Sequence, residues 1–164
     1  CDAALATLRR SRPGLATLAD WPLESLRALP RLLDRPLRSR AKHVVSETAR
    51  TRRSADLLSK GRLRELGRLM FESHESCRKD YECSAPELDL VVREAKRAGA
   101  WGARMTGAGW GGNVLVLIGP PGGTARRETL LRRRIASAFA RRYGREPAVT
   151  LVTAGGGARP ERVT

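Results

Sequence analysis

Aromatic residues make up only 4% of this 164-residue chain, so its core has to be built from Leu, Val, Ile and Ala. Hydrophobic residues still reach 41%, enough for a packed interior in one domain or one lobe of a larger protein. Cysteine is equally scarce. Cys1, Cys77 and Cys83 are odd in number and match neither a CxxC motif nor a metal-ligand spacing with the two histidines. This points to a reduced, cytoplasmic protein with no metal site of its own. No apolar run approaches the ~18 residues of a membrane span, and no basic segment followed by an apolar core opens the chain, so neither a membrane nor a signal peptide is expected. The chain starts at Cys1 rather than Met and reads as part of a longer protein. Acidic residues are the last shortage: 17 Asp and Glu face 32 Lys and Arg, a net charge of +15. That excess raises nucleic acid as a partner. Zinc-finger spacing, an aromatic RNA-binding strand and a Lys-rich tail are all missing, however. The arginines alternate with Ala, Leu and Glu, the pattern of solvated helix faces, and no nucleic-acid partner is expected.

The apolar residues that are present recur with helical spacing through the first hundred positions. Residues 1–10 read as a helix stopped by Pro13-Gly14, and Asp20 as the cap of a following turn. A long helix is expected from Leu37 to Ser59, with Ala41, Val44, Val45, Thr48, Ala55 and Leu58 inward and Gly61 at its end. A second spans Arg62 to Tyr81 through Leu63, Leu66, Met70, His74, Cys77 and Tyr81. Ser84, Pro86 and Glu87 have the form of a capping box opening a third helix, whose stripe is Leu88, Val91, Val92 and Ala95. The pattern then changes. Ala100–Met105 reads as a strand, and the unbroken run Asn113–Ile118 as a strand covered on both faces. A loop at 119–123, a helix at 124–143 with Leu131, Ile135, Ala138 and Phe139 inward, and a last strand at Ala148–Thr153 complete the chain. The fold class is α+β, helical hairpins packed on a small antiparallel sheet.

Between the two expected strands lies Thr106-Gly107-Ala108-Gly109-Trp110-Gly111-Gly112. Glycines allow backbone angles closed to other residues and permit close approach of a ligand or another backbone. Backbone amides in such a run can cradle phosphate. A dinucleotide fingerprint is excluded because that loop runs from strand to helix, whereas this one runs into a strand. A P-loop is excluded because no Gly-Lys-Ser/Thr is present. A ligand-free glycine-rich hairpin stays open as a reading of composition.

Three ordered segments carry a resemblance. They are Arg40-Ala41-Lys42-His43-Val44-Val45-Ser46-Glu47, then Phe71-Glu72-Ser73-His74 with Asp80-Tyr81-Glu82 and Ser84 to Asp89, then the glycine run. Together they are similar to the C-terminal lobe of the GHMP kinase superfamily, in its galactokinase branch, whose third signature is the glycine run. Trp110 stands where Phe is more usual, Asn113 where a small residue is common, and Cys83 and Ala85 also depart from the family pattern. The resemblance implies a ferredoxin-like lobe at 37–154, preceded by a helical connector at 1–36 and followed by a flexible tail at 155–164. It implies transfer of the ATP γ-phosphoryl group to galactose by the whole protein, which would be a cytoplasmic monomer. ATP and Mg2+ would be held mainly by an N-terminal lobe, the partner of this one. No catalytic or metal residue is carried over, because the family's phosphate loop, sugar-binding motif and catalytic Asp are not in this sequence. Thr106, Gly107, Ala108, Gly109, Gly111 and Gly112 are the expected contact with the nucleotide phosphate loop. Arg104 either brings charge there or faces solvent.

Other chemistry-bearing residues have plainer readings. His74 and His43 are expected to be hydrogen-bonded packing histidines. Of Asp80, Glu82, Glu87 and Asp89, which resemble a paired-carboxylate site, two suit a helix N-terminus, and Tyr81 is expected as a half-buried lid. A GHMP kinase acting on another sugar or a mevalonate-type alcohol, a non-catalytic galactokinase-like sugar sensor, and an unrelated basic binding module are the alternatives.

Overall fold

The computed structural model describes residues 1–119 and 124–153. Among them the element order is α1 (Asp2–Ser11), α2 (Leu29–Leu32), α3 (Leu37–Ser59), α4 (Leu63–Ser76), α5 (Pro86–Arg97), β1 (Gly102–Thr106), β2 (Asn113–Leu117) and α6 (Thr124–Tyr143). Short 3-10 turns at Leu18–Asp20 and Leu23–Ala28 join α1 to α2, and a π-turn at Cys77–Tyr81 continues α4. The result is the expected α+β arrangement of helices on a small antiparallel sheet. The loop residues 120–123 and the tail expected at 155–164 lie outside the described residues. No described helix is long and apolar enough to cross a membrane.

The N-terminal segment builds its own cluster. Ala4, Leu8, Leu15, Leu18, Trp21, Leu29 and Leu33 pack on Ala41 and Val45 at the start of α3. Asp20 does not cap a following helix. Its carboxylate instead accepts the Thr17 amide (2.8 Å) and hydroxyl (2.9 Å), so it closes a box from the third position while Thr17 is the cap. Farther along α3 the expected stripe drifts. Ala55 and Leu58 are exposed and Leu57 is buried. Leu57 lies about four and a half turns beyond Ala41, on a different face. The buried side of α3 therefore changes as its neighbours change, from the N-terminal segment to the α4 hairpin.

Helix α4 stops earlier than its periodicity suggests. The α-helical ladder ends at Ser76, and the π-turn is closed by Glu82 in a left-handed conformation (φ +60°). α4 runs along the edge of β1 that does not face β2. A sheet edge left bare invites unwanted pairing, and a helix laid over it removes that hazard. The approach is possible because Gly67 and Gly102 meet without side chains. A Cβ on Gly67 would enter the Trp101 carbonyl, and one on Gly102 would enter the Gly67 backbone.

Helix α5 opens at Pro86, but Ser84 makes no capping bond to it; the cap position is Ala85. The Ser84 hydroxyl donates to Asp89 at 2.6 Å instead, so its side chain serves the helix without capping an amide. Leu88, Val92 and Ala95 are buried as expected, and Leu90 packs with Ala138 and Phe139 of α6. Glu94 is buried at the same contact. It is surrounded by Arg97 (2.8 Å), Arg134 of α6 (3.5 Å) and Arg93 (3.6 Å), the pairing a buried carboxylate requires. Elsewhere the arginines lie mostly on helix surfaces, several beside a glutamate three or four residues away.

The sheet departs from expectation in two ways. Strand β2 pairs antiparallel with β1, Gly102 opposite Leu117 and Thr106 opposite Asn113. Val114 and Val116 join the helical core, but Leu115 is 51% exposed. The strand is thus covered on one face, not both, since its apolar run exceeds what this chain's helices cover. The expected strand at Ala148–Thr153 forms no ladder, and the described sheet has two strands. Pro147 has no amide to donate, Leu151 and Val152 are exposed, and Val149 is held through its carbonyl by Arg132 Nη1 at 2.6 Å.

The Gly67–Gly102 contact yields a direct stability prediction. Gly67→Ala and Gly102→Ala should each cost about 2–3 kcal/mol or more in urea unfolding, because a methyl group is forced into rigid backbone. Gly14→Ala, where a Cβ meets nothing within 4 Å, should change stability by less than about 1 kcal/mol. Equal, small effects at all three positions would contradict the close approach.

Candidate functional site

The glycine-rich run forms the turn between β1 and β2, with Thr106 and Asn113 paired at its base. Gly107, Gly109, Gly111 and Gly112 all have positive φ (+84°, +98°, +147° and +90°), and so does Trp110 (+56°). Ordinary L-residues avoid this region, which accounts for the glycine density.

The turn has two sides. On the inner side Gly109 lies against the Cys83 carbonyl, where a Cβ would collide with the oxygen and come within 2.9 Å of the Met105 methyl. The same carbonyl accepts the Trp110 amide at 2.7 Å. On the outer side, Cβ atoms added at Gly107 or Gly111 would meet nothing within 4 Å. Thr106, Ala108, Gly112 and Trp110 are exposed, Trp110 by 69%. The six predicted contact residues are therefore brought together on one turn, anchored within and open without.

Behind the turn lies a polar ring, buried at His74 and half-buried at Asp89 and Ser84. His74 is 3% exposed, and its Nδ1 accepts the Met105 amide at 3.3 Å. A backbone N–H can only donate, so Nδ1 is unprotonated and the proton is on Nε2, which bonds Asp89 Oδ1 at 3.0 Å. Asp89 also receives the Ser84 hydroxyl. Burial holds the His74 pKa below 6.5 against the opposing pull of Asp89 and Glu75, in keeping with a neutral packing histidine. Cys77 and Cys83 are buried free thiols in the same cluster. Burial, then its neighbour Cys83, pushes Cys77 up to about 11, leaving it an unreactive thiol.

On the α3 side a groove of about 500 Å3 is lined by His43, Val44, Glu47, Thr48, Arg52 and Tyr81, among others. Burial pushes the Glu47 pKa up, but hydrogen bonds from Ser73 and Arg50 and the charges of Arg50 and Arg104 outweigh it and hold the carboxylate below its usual range. Arg104 does not simply face solvent. It is turned to this wall, 3.5 Å from Glu47. His43 bonds Ser76 at 3.0 Å and lies against Tyr81, ring centres 4.8 Å apart. Tyr81 is half-buried as expected.

The four carboxylates that resembled a paired site are dispersed. Asp80 pairs with Lys42 (2.9 Å) and Glu82 with Arg40 (2.5 Å), tying the π-turn to α3, while Glu87 and Asp89 occupy the first turn of α5. Among the described residues no three metal-donor side chains come together. The Cys83 carbonyl and the Glu47–Ser73–Arg104 cluster are absent from the sequence reading. A backbone carbonyl has no side-chain signature, and Glu47 stood out only as part of a motif.

The two-sided turn separates two kinds of glycine. Gly107→Ala should cost about 1–2 kcal/mol, the penalty of a left-handed L-residue. Gly109→Ala should cost a further 1–3 kcal/mol or so, because its methyl group also meets the Cys83 carbonyl. Urea unfolding of the two variants checks the difference; equal losses would show that the Cys83 contact is slack.

Comparison with known proteins agrees with this arrangement. The family described as GHMP kinases C terminal matches residues 54–144, more than half of the chain. A galactokinase of Roseiflexus sp. is 44% identical over 119 residues, 72% of this chain and 30% of that protein. The Streptomyces coelicolor galactokinase is 40% identical over 148 residues, 89% and 37% respectively. The human galactokinase is 45% identical over 106 residues, 64% and 27%. A crystal structure of Lactococcus lactis galactokinase complexed with galactose superposes with a TM-score of 0.79 at 31% identity, covering 88% of this chain and 36% of that one. The chain thus spans about a third of the length of the proteins it matches. With its helices, its two-stranded sheet and its glycine-rich turn, the chain belongs to the GHMP kinase C-terminal family.

Proposed function

We propose that this chain is the C-terminal lobe of a galactokinase, whose full-length form transfers the γ-phosphoryl group of ATP to galactose, giving galactose 1-phosphate. The observation that carries the reading is the outward face of the turn. Gly107, Ala108, Gly111 and Gly112 present backbone with no side chain larger than a methyl group, so the nucleotide phosphate loop of the N-terminal lobe can come within hydrogen-bonding distance of their amides. Such chemistry rests on positioning and on electrostatic stabilisation of a spreading negative charge. In this reading the turn forms one wall of the nucleotide site and the N-terminal lobe forms the rest.

The fit to ATP is to its phosphates. ATP supplies the transferable group; Thr106 offers a hydroxyl, and Gly107, Ala108, Gly111 and Gly112 offer backbone amides with no side chain larger than a methyl group beside the exposed Trp110. Among the described residues no three metal-donor side chains come together, and in this reading Mg2+ is held mainly by the N-terminal lobe. No base is assigned to His43 or His74, each already engaged in hydrogen bonds within the fold. The same reading makes the whole protein a cytoplasmic monomer.

The experiment compares the full-length protein with residues 1–164 alone. The full-length protein should form galactose 1-phosphate from ATP and galactose, and the isolated chain should form none. Activity of the full-length protein on a different alcohol would replace galactose with another GHMP substrate. Binding of galactose and ATP without turnover would make it a sensor.

A further inference from the structure

The ring behind the turn closes on itself through one imidazole. Met105 is the penultimate residue of β1, directly before Thr106 and the turn. Its amide is held by His74 Nδ1. On the opposite nitrogen, His74 donates to Asp89, which also receives the Ser84 hydroxyl. Ser84 directly follows Cys83, whose carbonyl accepts the Trp110 amide and lies against Gly109. His74 is thus tied both to the strand that enters the turn and to the segment that anchors its centre. Neither bond survives a change of tautomer, because Met105 must donate and the Asp89 carboxylate must accept.

We propose that neutral His74 is a positioning residue for the glycine-rich turn, a clamp that sets where its outer amides meet the nucleotide phosphates. Its kinetic consequence rests on the kinase reading above; the clamp itself does not. The groups facing the imidazole are Asp89 from α5, the Met105 amide from β1, and Glu75 and Arg78 on its own helix and π-turn. Protonation would place a second N–H against the Met105 N–H and open the clamp. The sign follows from the lowered pKa. The stabilisation is fully present above the ordinary value of 6.5 and is lost as pH falls through the lower folded value.

Three measurements on the full-length protein test the clamp. Imidazole nitrogen NMR should show His74 with its proton on Nε2; a proton on Nδ1 would overturn the proposal. His74→Ala should raise the KM for ATP about tenfold, less than the roughly 10²-fold that an ångström-scale misplacement can cost, while the KM for galactose stays within about twofold. His74→Gln keeps a neutral acceptor and a neutral donor. It should restore most of the ATP affinity and lack the wild-type loss of kcat/KM at acid pH. An unchanged ATP KM in the alanine variant, or a glutamine variant that folds yet is as impaired as alanine, would overturn the proposal. Amide exchange gives a readout free of any assumed substrate. Met105 N–H should exchange slowly in the wild type and the glutamine variant; rapid exchange in the wild type would overturn the clamp even where galactose turnover is normal. Absence of galactose turnover in the wild type tells instead against the proposed function. Should the alanine variant fail to fold, the glutamine variant and the wild-type tautomer decide.

Discussion

The site depends on one backbone carbonyl, that of Cys83. A turn with five residues at positive φ has little reason to hold a single shape by itself, since glycine loses more conformational freedom on ordering than any other residue. The Cys83 oxygen supplies the missing constraint. It accepts one amide of the turn and lies directly against Gly109, where the lack of a side chain permits the close approach. Cys83 is itself placed by the end of α4, where its amide bonds the Cys77 carbonyl (3.0 Å) and Glu82 turns left-handed. The geometry of the turn is therefore set by how a helix ends some twenty-five residues earlier in the chain.

The packing around this anchor is economical in side chains. α4 lies along the β1 edge on a contact of two glycines, and the adjoining backbone donor, the Met105 amide, is satisfied by His74. Because an unpaired buried amide is costly, helix, strand and turn are coupled through a few hydrogen bonds rather than through a large aromatic core. Arg104 extends the coupling to Glu47, which lines the groove on α3. That groove is thus tied to β1, the strand that leads into the turn.

Much of this was legible beforehand, and the exceptions have physical causes. The bounds of α3 followed from apolar periodicity with Pro36 before the helix and Gly61 after it, and those of α6 from its inward Leu131, Ile135, Ala138 and Phe139. The turn was legible from glycine density alone. Leu57 was missed because a long helix meets different neighbours along its length. Ser84 looked like a cap, but a carboxylate five residues on took its hydroxyl. The apolar run at 148–153 read as a strand because local propensity does not reveal whether a sheet edge is within reach. The Cys83 anchor was invisible for a deeper reason: it is a backbone group, and nothing in the identity of Cys83 encodes what its carbonyl touches.

The most direct test of the central claim, that this turn is one wall of a nucleotide site, is hydrogen exchange of the full-length protein with and without a non-hydrolysable ATP analogue. The account predicts slowed exchange across Gly107–Gly112 on nucleotide binding, with α1 and α6 unchanged. Bound nucleotide that leaves the exchange of those six residues unaltered would contradict it and reduce the glycine run to a hairpin.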